Sequence, residues 1–472
     1  MKIPKINKTL DNRELLKIIN DLENTIDISA LTFNDLNIWP LIRISVSFGL
    51  ISQRYNTKTF SNKKNNNNIL ATYKNYINYK KFLKKNLTIK ALDVTHDLYL
   101  HNINNKIYDR VHFGYENNES LNSTKVNRIN LSDYTLREID QNLTQVDFSF
   151  IFHCIKIASI PYALFLAIGT LKTYKSLFDI YKFFKSNGIN IKSILIKIPF
   201  KVSYMILLSR FMMNFFKRTE LKILRHANYY SLDSMALTLA AKKCDILVQH
   251  IQHGSQADDH PAFGNWSNVP LEGYELVPNV FNCWNEESVK VLSKSFEPIK
   301  NHQIKLSKYH WVDAWKKGEI AYNSSEIKSH ADNKYNVLIT LQPSINSIQN
   351  FVAECIDKSS DDICWWIRLH PRQLTEYSLN NIKKQLPKKT GRVFIDLASN
   401  SPLPALLAFC DHHITAFSSS IYEASYFEIP TIITHKMGID YYGDNLKDLN
   451  ATYCIDSDSI LKILKNGVVN KF

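Results

Sequence analysis

Apolar positions along the chain follow two spacings. From residue 335 onward, short continuous apolar runs alternate with longer stretches whose apolar positions recur every three or four residues. This pattern predicts strands at 335–341, 364–369, 392–395, 412–416 and 431–434, with helices near 345–358, 379–386, 403–409 and 420–427. Strands reached only through helices pair in parallel, so the alternation implies a doubly wound α/β domain. The N-terminal half is less regular. It reads as helices at 13–23 and 38–52, a strand at 91–100 followed by an Asn-rich loop at 102–105, a helical region over 194–225, a helix at 229–243 and a strand at 245–249. A polar tract at 61–68 (SNKKNNNN) reads as a low-complexity loop, and a Lys/Tyr-rich helical stretch follows it. The polar, charged stretch 318–334 separates the halves. The expected organisation is a first domain over 1–325 with a helical insertion at about 150–228, and a second over 335–472. Both would be doubly wound, with their strand-end loops facing one cleft.

The most apolar run, 150–170 (FIFHCIKIASIPYALFLAIGT), is interrupted by His153, Lys156 and Pro161. A bilayer crossing needs roughly 20 uninterrupted apolar residues, so the run is expected to be a buried or membrane-grazing helix. The next helical region mixes apolar residues with Lys197, Lys201, Arg210, Lys217, Arg218, Lys222 and Arg225. A core helix with a solvated basic face and a helix lying on anionic headgroups both give that pattern.

Composition is globular, with 45% hydrophobic and 12% aromatic residues in 472. Lys and Arg number 58 against 44 Asp and Glu, a formal net charge of +14. The excess suits a polyanion or an anionic lipid surface, and part of it reflects a Lys- and Asn-rich composition. The basic residues are dispersed and no recognition motif accompanies them, so nucleic acid is not an expected partner. Cys154, Cys244, Cys283, Cys355, Cys364, Cys410 and Cys454 form no CxxC pair and no metal-ligand spacing. With a polar start lacking an apolar signal core, they point to a reducing compartment, the cytoplasm.

The candidate chemistry lies just after predicted strands. Ile367-Arg368-Leu369-His370-Pro371-Arg372 closes one strand, and Thr415-Ala416-Phe417-Ser418-Ser419-Ser420-Ile421-Tyr422-Glu423-Ala424 leads from another into a helix. Backbone N–H groups and helix N-termini converge at such strand ends and favour a phosphate-bearing ligand. A second cluster, Gln249 through Pro261, holds Gln252, His253, Gly254, Asp258, Asp259 and His260. Its spacing matches no helical two-histidine metal motif, and the favoured reading is acid–base work or ligand contact.

These motifs together resemble bacterial GT-B glycosyltransferases of surface-polysaccharide synthesis, over roughly residues 229–435. The nearest likenesses are capsular polysialyltransferases and Kdo-type transferases, which use CMP-activated sugars; teichoic-acid polymerases with CDP-polyol donors share the skeleton. The resemblance implies a GT-B-like pair of Rossmann-like domains, an N-terminal acceptor side and a C-terminal donor side. By motif it places His370 and Pro371 beside the nucleotide, Ser418, Ser419 and Ser420 on its phosphate, and Glu423 near the ribose. Arg368 and Arg372 would neutralise the leaving phosphate. His253 is the first candidate for the base, with Asp258 and Asp259 behind it, while Gln252 and Gly254 shape the loop. In such enzymes a glycine often stands where this chain has Glu428, before Ile429-Pro430.

The expected activity is a metal-independent glycosyl transfer that needs no cofactor. The donor would be a nucleotide-activated sugar, CMP-linked and of sialic acid or Kdo type. The acceptor would be a capsular polysaccharide, lipooligosaccharide or O-antigen glycan, free or lipid-linked, met at the inner face of the cell membrane. A CDP-polyol phosphotransferase and a non-catalytic polysaccharide-assembly scaffold are the alternatives.

Overall fold

The computed structural model describes residues 12–54, 89–96, 99–104, 106–115, 127–130, 144–168, 171–342, 348–386 and 392–471. The polar loop at 61–68 and the Lys/Tyr-rich stretch after it lie outside the described residues. Two compact units make up the chain, the first taking residues 1–100 and 106–308 and the second 101–105 and 309–472.

The first unit is built on seven parallel strands: β1 (Ala91–Thr95), β2 (Asn127–Asn130), β3 (Thr144–Asp147), β4 (Ile223–His226), β5 (Leu247–Ile251), β6 (Val280–Cys283) and β7 (Gln303–Leu306). Their spatial order is β7-β6-β5-β4-β1-β2-β3. The chain starts in the middle, grows outward to β3, then returns to lay β4 against the other side of β1. The long return is the helical insertion: α3 (Ser149–Ile168, with Pro161 inside it), α4 (Leu171–Ser186) and α5 (Ile198–Phe216). α5 starts at a proline whose missing N–H costs nothing in a first turn, and it buries Val202, Met205, Leu208, Met212, Phe215 and Phe216 at helical spacing.

The helical region read to residue 225 stops at Phe216, because Ile223–His226 is clasped between β1 and β5. A four-residue strand buried from both sides is stabilised by pairing and carries little period of its own. Ahead of the sheet, α1 (Asn12–Thr25) and α2 (Trp39–Arg54) bury Leu15, Leu16, Ile19, Leu22 and Ile42 in the same core.

In the second unit six parallel strands, β8 (Tyr335–Thr340), β9 (Ile363–Arg368), β10 (Val393–Phe394), β11 (His412–Thr415), β12 (Thr431–Ile433) and β13 (Ala451–Tyr453), lie in the order β10-β9-β8-β11-β12-β13. All six residues of β8 are buried. Val337, Ile339, Trp365 and Ile367 meet helices on one face, and Leu338, Cys364 and Trp366 pack on the other, as the two-residue strand period dictates. The polar stretch 318–334 contains the helix Ser325–Ala331, whose Ile327 and Ala331 enter this second core.

The fold is therefore α/β, with two doubly wound Rossmann-like sheets and a helical insertion in the first. Each sheet has one point where chain order reverses: between β1 and β4 in the first unit, and between β8 and β11 in the second. In open parallel sheets ligands bind outside the carboxyl ends of the strands at that point.

Candidate functional site

At the reversal point of the second unit, Thr340 ends β8 and Thr415 ends β11. A small cleft, partly open to solvent, lies there, lined by Ile339, Thr340, Leu341, Gln342, Ile348, Gln349, Val352, Ile414, Thr415, Ala416 and Thr434. An apolar wall with a few polar groups is the usual make-up of a small-molecule site.

The polar groups are held in place by one another. Gln342 Nε2 donates to Thr415 Oγ1 at 2.7 Å and to the Thr340 carbonyl at 2.9 Å. Thr340 Oγ1 shares a hydrogen bond with Ser420 Oγ at 2.8 Å, and His413 Nε2 lies 2.9 Å from the same threonine oxygen. Burial depresses His413 to about 3, so its ring is a neutral strut.

The Ser-Ser-Ser run is tied to the pocket through these threonines. Ser418 N donates to Thr415 Oγ1 at 3.3 Å, and Ser420 N donates to Ser418 Oγ at 3.3 Å. Ser419 occupies the N-cap of α9 (Ser420–Tyr426) without a side-chain capping bond. Glu423 is buried and accepts from Tyr309 OH at 3.2 Å.

His370 reaches the same place through Gln373. The buried Gln373 amide accepts from His370 N at 3.1 Å and donates to the Gln342 carbonyl at 3.1 Å, so the His370-Pro371 turn is pinned to the pocket rim. The His370 ring is half-buried and Pro371 exposed. Arg368 faces elsewhere: Nη1 donates to the carbonyls of Ala398 at 2.7 Å, Ser399 at 3.2 Å and Ser401, at the C-terminus of the helix Asp396–Asn400. A cation there completes a helix end, which accounts for the residue without a phosphate. Arg372 lies in the single turn Pro371–Gln373, and its side chain is outside those described.

The first unit has its own polar corner at the carboxyl ends of β1, β4 and β5. Gln252 locks the turn after β5: Oε1 accepts from Trp284 N at 2.6 Å, while Nε2 donates to Ser288 Oγ at 2.9 Å and to the Gly254 carbonyl at 3.0 Å. His253 packs against Tyr99 at 5.6 Å between ring centres, and burial with the nearby Arg110 charge depresses it to about 3. Proton affinity that low makes it a poor base at neutral pH. His250, fully buried against Tyr229, Phe263 and Phe281, is also held neutral, and burial lowers His260 to about 4.

Asp258 forms a half-exposed ion pair with Lys294 at 2.6 Å. Asp259 is buried. Among the described residues, no group of histidines, cysteines and carboxylates has metal-binding geometry.

Sequence reading missed the other half of this corner. Asp109, at the end of the short strand Lys106–Asp109, accepts from Val111 N and His112 N through Oδ1 and holds His112 Nδ1 at 2.9 Å through Oδ2. Arg225 on β4 donates to Asp93 on β1 at 2.6 Å and to the Tyr115 carbonyl at 2.7 Å. Buried atoms lacking a hydrogen-bond partner gather here: Asp93 Oδ2, Thr95 Oγ1, His112 Nε2, Arg225 Nη2, His226 Nδ1, Asn228 Oδ1, His250 Nδ1 and His253 Nδ1. Buried polar atoms are normally paired, so such a concentration marks a polar site rather than packing. The available signal was Asp109-Arg110-Val111-His112, an acid and a histidine three apart before Gly114, whose φ is 81°.

No family model matches this chain, and no curated protein does. Solved structures do resemble it. A UDP complex of S. aureus MnaA shares 12% identity over 80% of this chain and 87% of that one, at a TM-score of 0.45. UDP-GlcNAc 2-epimerase from Neisseria meningitidis, bound to UDP-GlcNAc, shares 14% over 80% and 91%, also at 0.45. The wall teichoic acid polymerase TagF shares 12% over 91% and 89%, at 0.44. With each TM-score below 0.5, these likenesses assign nothing to this chain.

Proposed function

We propose that the protein is a GT-B glycosyltransferase whose second unit holds a nucleotide-activated sugar, CMP-linked and of sialic acid or Kdo type, and whose first unit receives a surface-polysaccharide acceptor. The observation that carries the reading is the pocket at the β8/β11 reversal point, to whose lining residues Gln373 and the paired threonines tie His370, Ser418 and Ser420. Hydroxyls and amides at strand ends bind a nucleotide phosphate without a metal.

The test is thermal stabilisation by CMP, CDP, UDP and GDP, measured on the wild type, His370→Ala and Gln342→Ala. CMP is expected to raise Tm, and both variants to lose most of the shift. A preference for CDP would move the donor to a polyol nucleotide. No shift with any nucleotide would leave the scaffold as the better account.

The helical insertion supports a membrane-facing role. Ile157, Ile160, Phe178 and Ile196 are exposed beside the exposed Lys156, Lys175, Lys182, Lys192 and Lys197, a combination suited to anionic headgroups. Among the described residues no helix is long and apolar enough to cross a membrane. Co-sedimentation with vesicles containing anionic lipid, weakened by Ile157→Ser with Phe178→Ser, is the expected result; equal binding to neutral vesicles would count against it.

A further inference from the structure

In the first unit, the reversal point between β1 and β4 carries a buried carboxylate–histidine pair with its far nitrogen uncommitted. We propose that Asp109 and His112 form the proton-accepting pair of this enzyme, with His112 Nε2 taking the proton of the acceptor hydroxyl and Asp109 orienting the ring. The inference rests on the glycosyltransferase reading and names the base that reading requires.

The geometry separates the tautomers. A carboxylate oxygen 2.9 Å from Nδ1 accepts a hydrogen bond, so Nδ1 bears the hydrogen and the lone pair of the neutral ring is on Nε2. Asp109 Oδ1 is engaged with Val111 N and His112 N, so the carboxylate holds both the loop and the ring. His112 Nε2 is buried and has no hydrogen-bond partner. His226 and His250 also leave Nδ1 unpaired, but their other nitrogens meet the neutral Thr238 hydroxyl and Gln256 amide, whereas that of His112 meets a carboxylate.

The charged groups facing His112 are Asp109, Asp93 on β1 and Arg225 on β4, and the neighbouring rings are His226 and His253. Burial alone would lower the proton affinity of His112. The carboxylates of Asp109 and Asp93 outweigh both burial and the Arg225 charge, so its pKa is raised. Its neighbours go the other way: burial depresses His226 and His253 to about 3. Among His112, His226 and His253, His112 is the ring that can accept a proton near neutral pH and, as imidazolium beside a carboxylate, keep it.

In the transfer, the acceptor O–H bond breaks and its proton goes to Nε2. The oxygen's electron pair forms the bond to the anomeric carbon, while the bond from that carbon to the phosphate oxygen breaks and its pair leaves with the nucleotide.

The experiment compares wild type, His112→Asn and Asp109→Asn. It measures nucleotide release from CMP-N-acetylneuraminate, UDP-GlcNAc and CDP-glycerol across pH, nucleotide-induced Tm shifts, and deuterium exchange at histidine C2 to titrate each ring without turnover. The expected result is an intact nucleotide shift in both variants and turnover lowered about 100-fold or more in His112→Asn. His112 should titrate above 6.5 in the wild type and lower in Asp109→Asn, whose acid limb of turnover moves with it. Turnover retained within a few-fold in His112→Asn, or a His112 titration unmoved by Asp109→Asn, would overturn the pair alone. Absence of any nucleotide shift in the wild type would instead overturn the transferase reading.

Discussion

Glu428 sits with φ at 64°, in the left-handed region that glycine occupies at little cost and other residues do not. Its place before Ile429-Pro430 is where the enzymes that these motifs resemble often have glycine, and the backbone gives the reason. Glu428→Gly is expected to stabilise the second unit by about 0.5–1 kcal/mol, the strain relieved exceeding the entropy added to the unfolded chain; the salt bridge to Lys316 is exposed at 3.6 Å and contributes little. A lower Tm in that variant would show the strain to be absorbed elsewhere. Individual residue types were legible in the same uneven way. His370 and the three serines stood out by their position after predicted strands, and hydrogen bonds connect His370, Ser418 and Ser420 to residues that line the pocket. Arg368 stood out equally and completes a helix end, because a guanidinium suits phosphate oxygens and peptide carbonyls alike. Gln342 and Gln373 carry no signal of their own in the sequence, since a buried amide that bridges two loops looks there like any loop glutamine.

At the scale of elements, the helical hairpin of α1 and α2 is coupled to the loop after β5 by one buried cation. Arg43 donates to Glu23 at 2.5 Å and to the carbonyls of Pro261, Gly264 and Asn265, and its guanidinium lies 4.4 Å from the Trp266 ring centre. Glu23 in turn accepts from Trp39 Nε1, Ser267 N and Ser267 Oγ. Arg43→Met would leave the buried Glu23 carboxylate without its cation, and is expected to cost about 3–5 kcal/mol by chemical denaturation; a loss under 1 kcal/mol would mean the loop relaxes to solvate Glu23. In the second unit, α10 (Lys436–Tyr442) presses Gly438 against the Ala416 carbonyl and Ile433, with no room for a Cβ. Gly438→Ala is therefore expected to push the helix off the β11 strand end and reduce the nucleotide-induced Tm shift, even where the variant folds. Long periodic elements were readable in advance, as β8, β9 and α5 show. Three-residue β13 and seven-residue α10 were not, because so few residues hold no period and their stability comes from neighbours.

For the whole molecule, acid should act on both units. Burial lowers His226, His253, His302 and His413 to about 3, and His260 and His412 to about 4, from an ordinary 6.5. A depressed histidine is neutral in the folded state while the unfolded chain takes up a proton below about 6.5, so unfolding binds protons and stability falls as pH drops from that value towards 4. Each such ring contributes a slope of up to ~1.4 kcal/mol per pH unit. His112, raised by its carboxylates, works in the opposite sense: its contribution is present below 6.5 and fades as pH rises through its folded value. Tm measured from pH 7.5 to 5 should fall with more than one proton's slope; a flat profile would mean that these rings are hydrated and titrate normally.

The sequence by itself determined the α/β class, the strand–helix alternation of the second unit and the presence of polar groups at strand ends, because those depend on local period and on which residues follow an apolar run. Strand order was decided only in the tertiary structure. The reversal between β1 and β4 depends on a long helical crossover, and pairing across such a distance leaves no trace in local periodicity. That reversal brings Asp93, Asp109, His112 and Arg225 into one buried corner from three separate segments of the chain. Proton affinity there is set by burial and by which charges become neighbours, so identical histidines are driven in opposite directions by the fold.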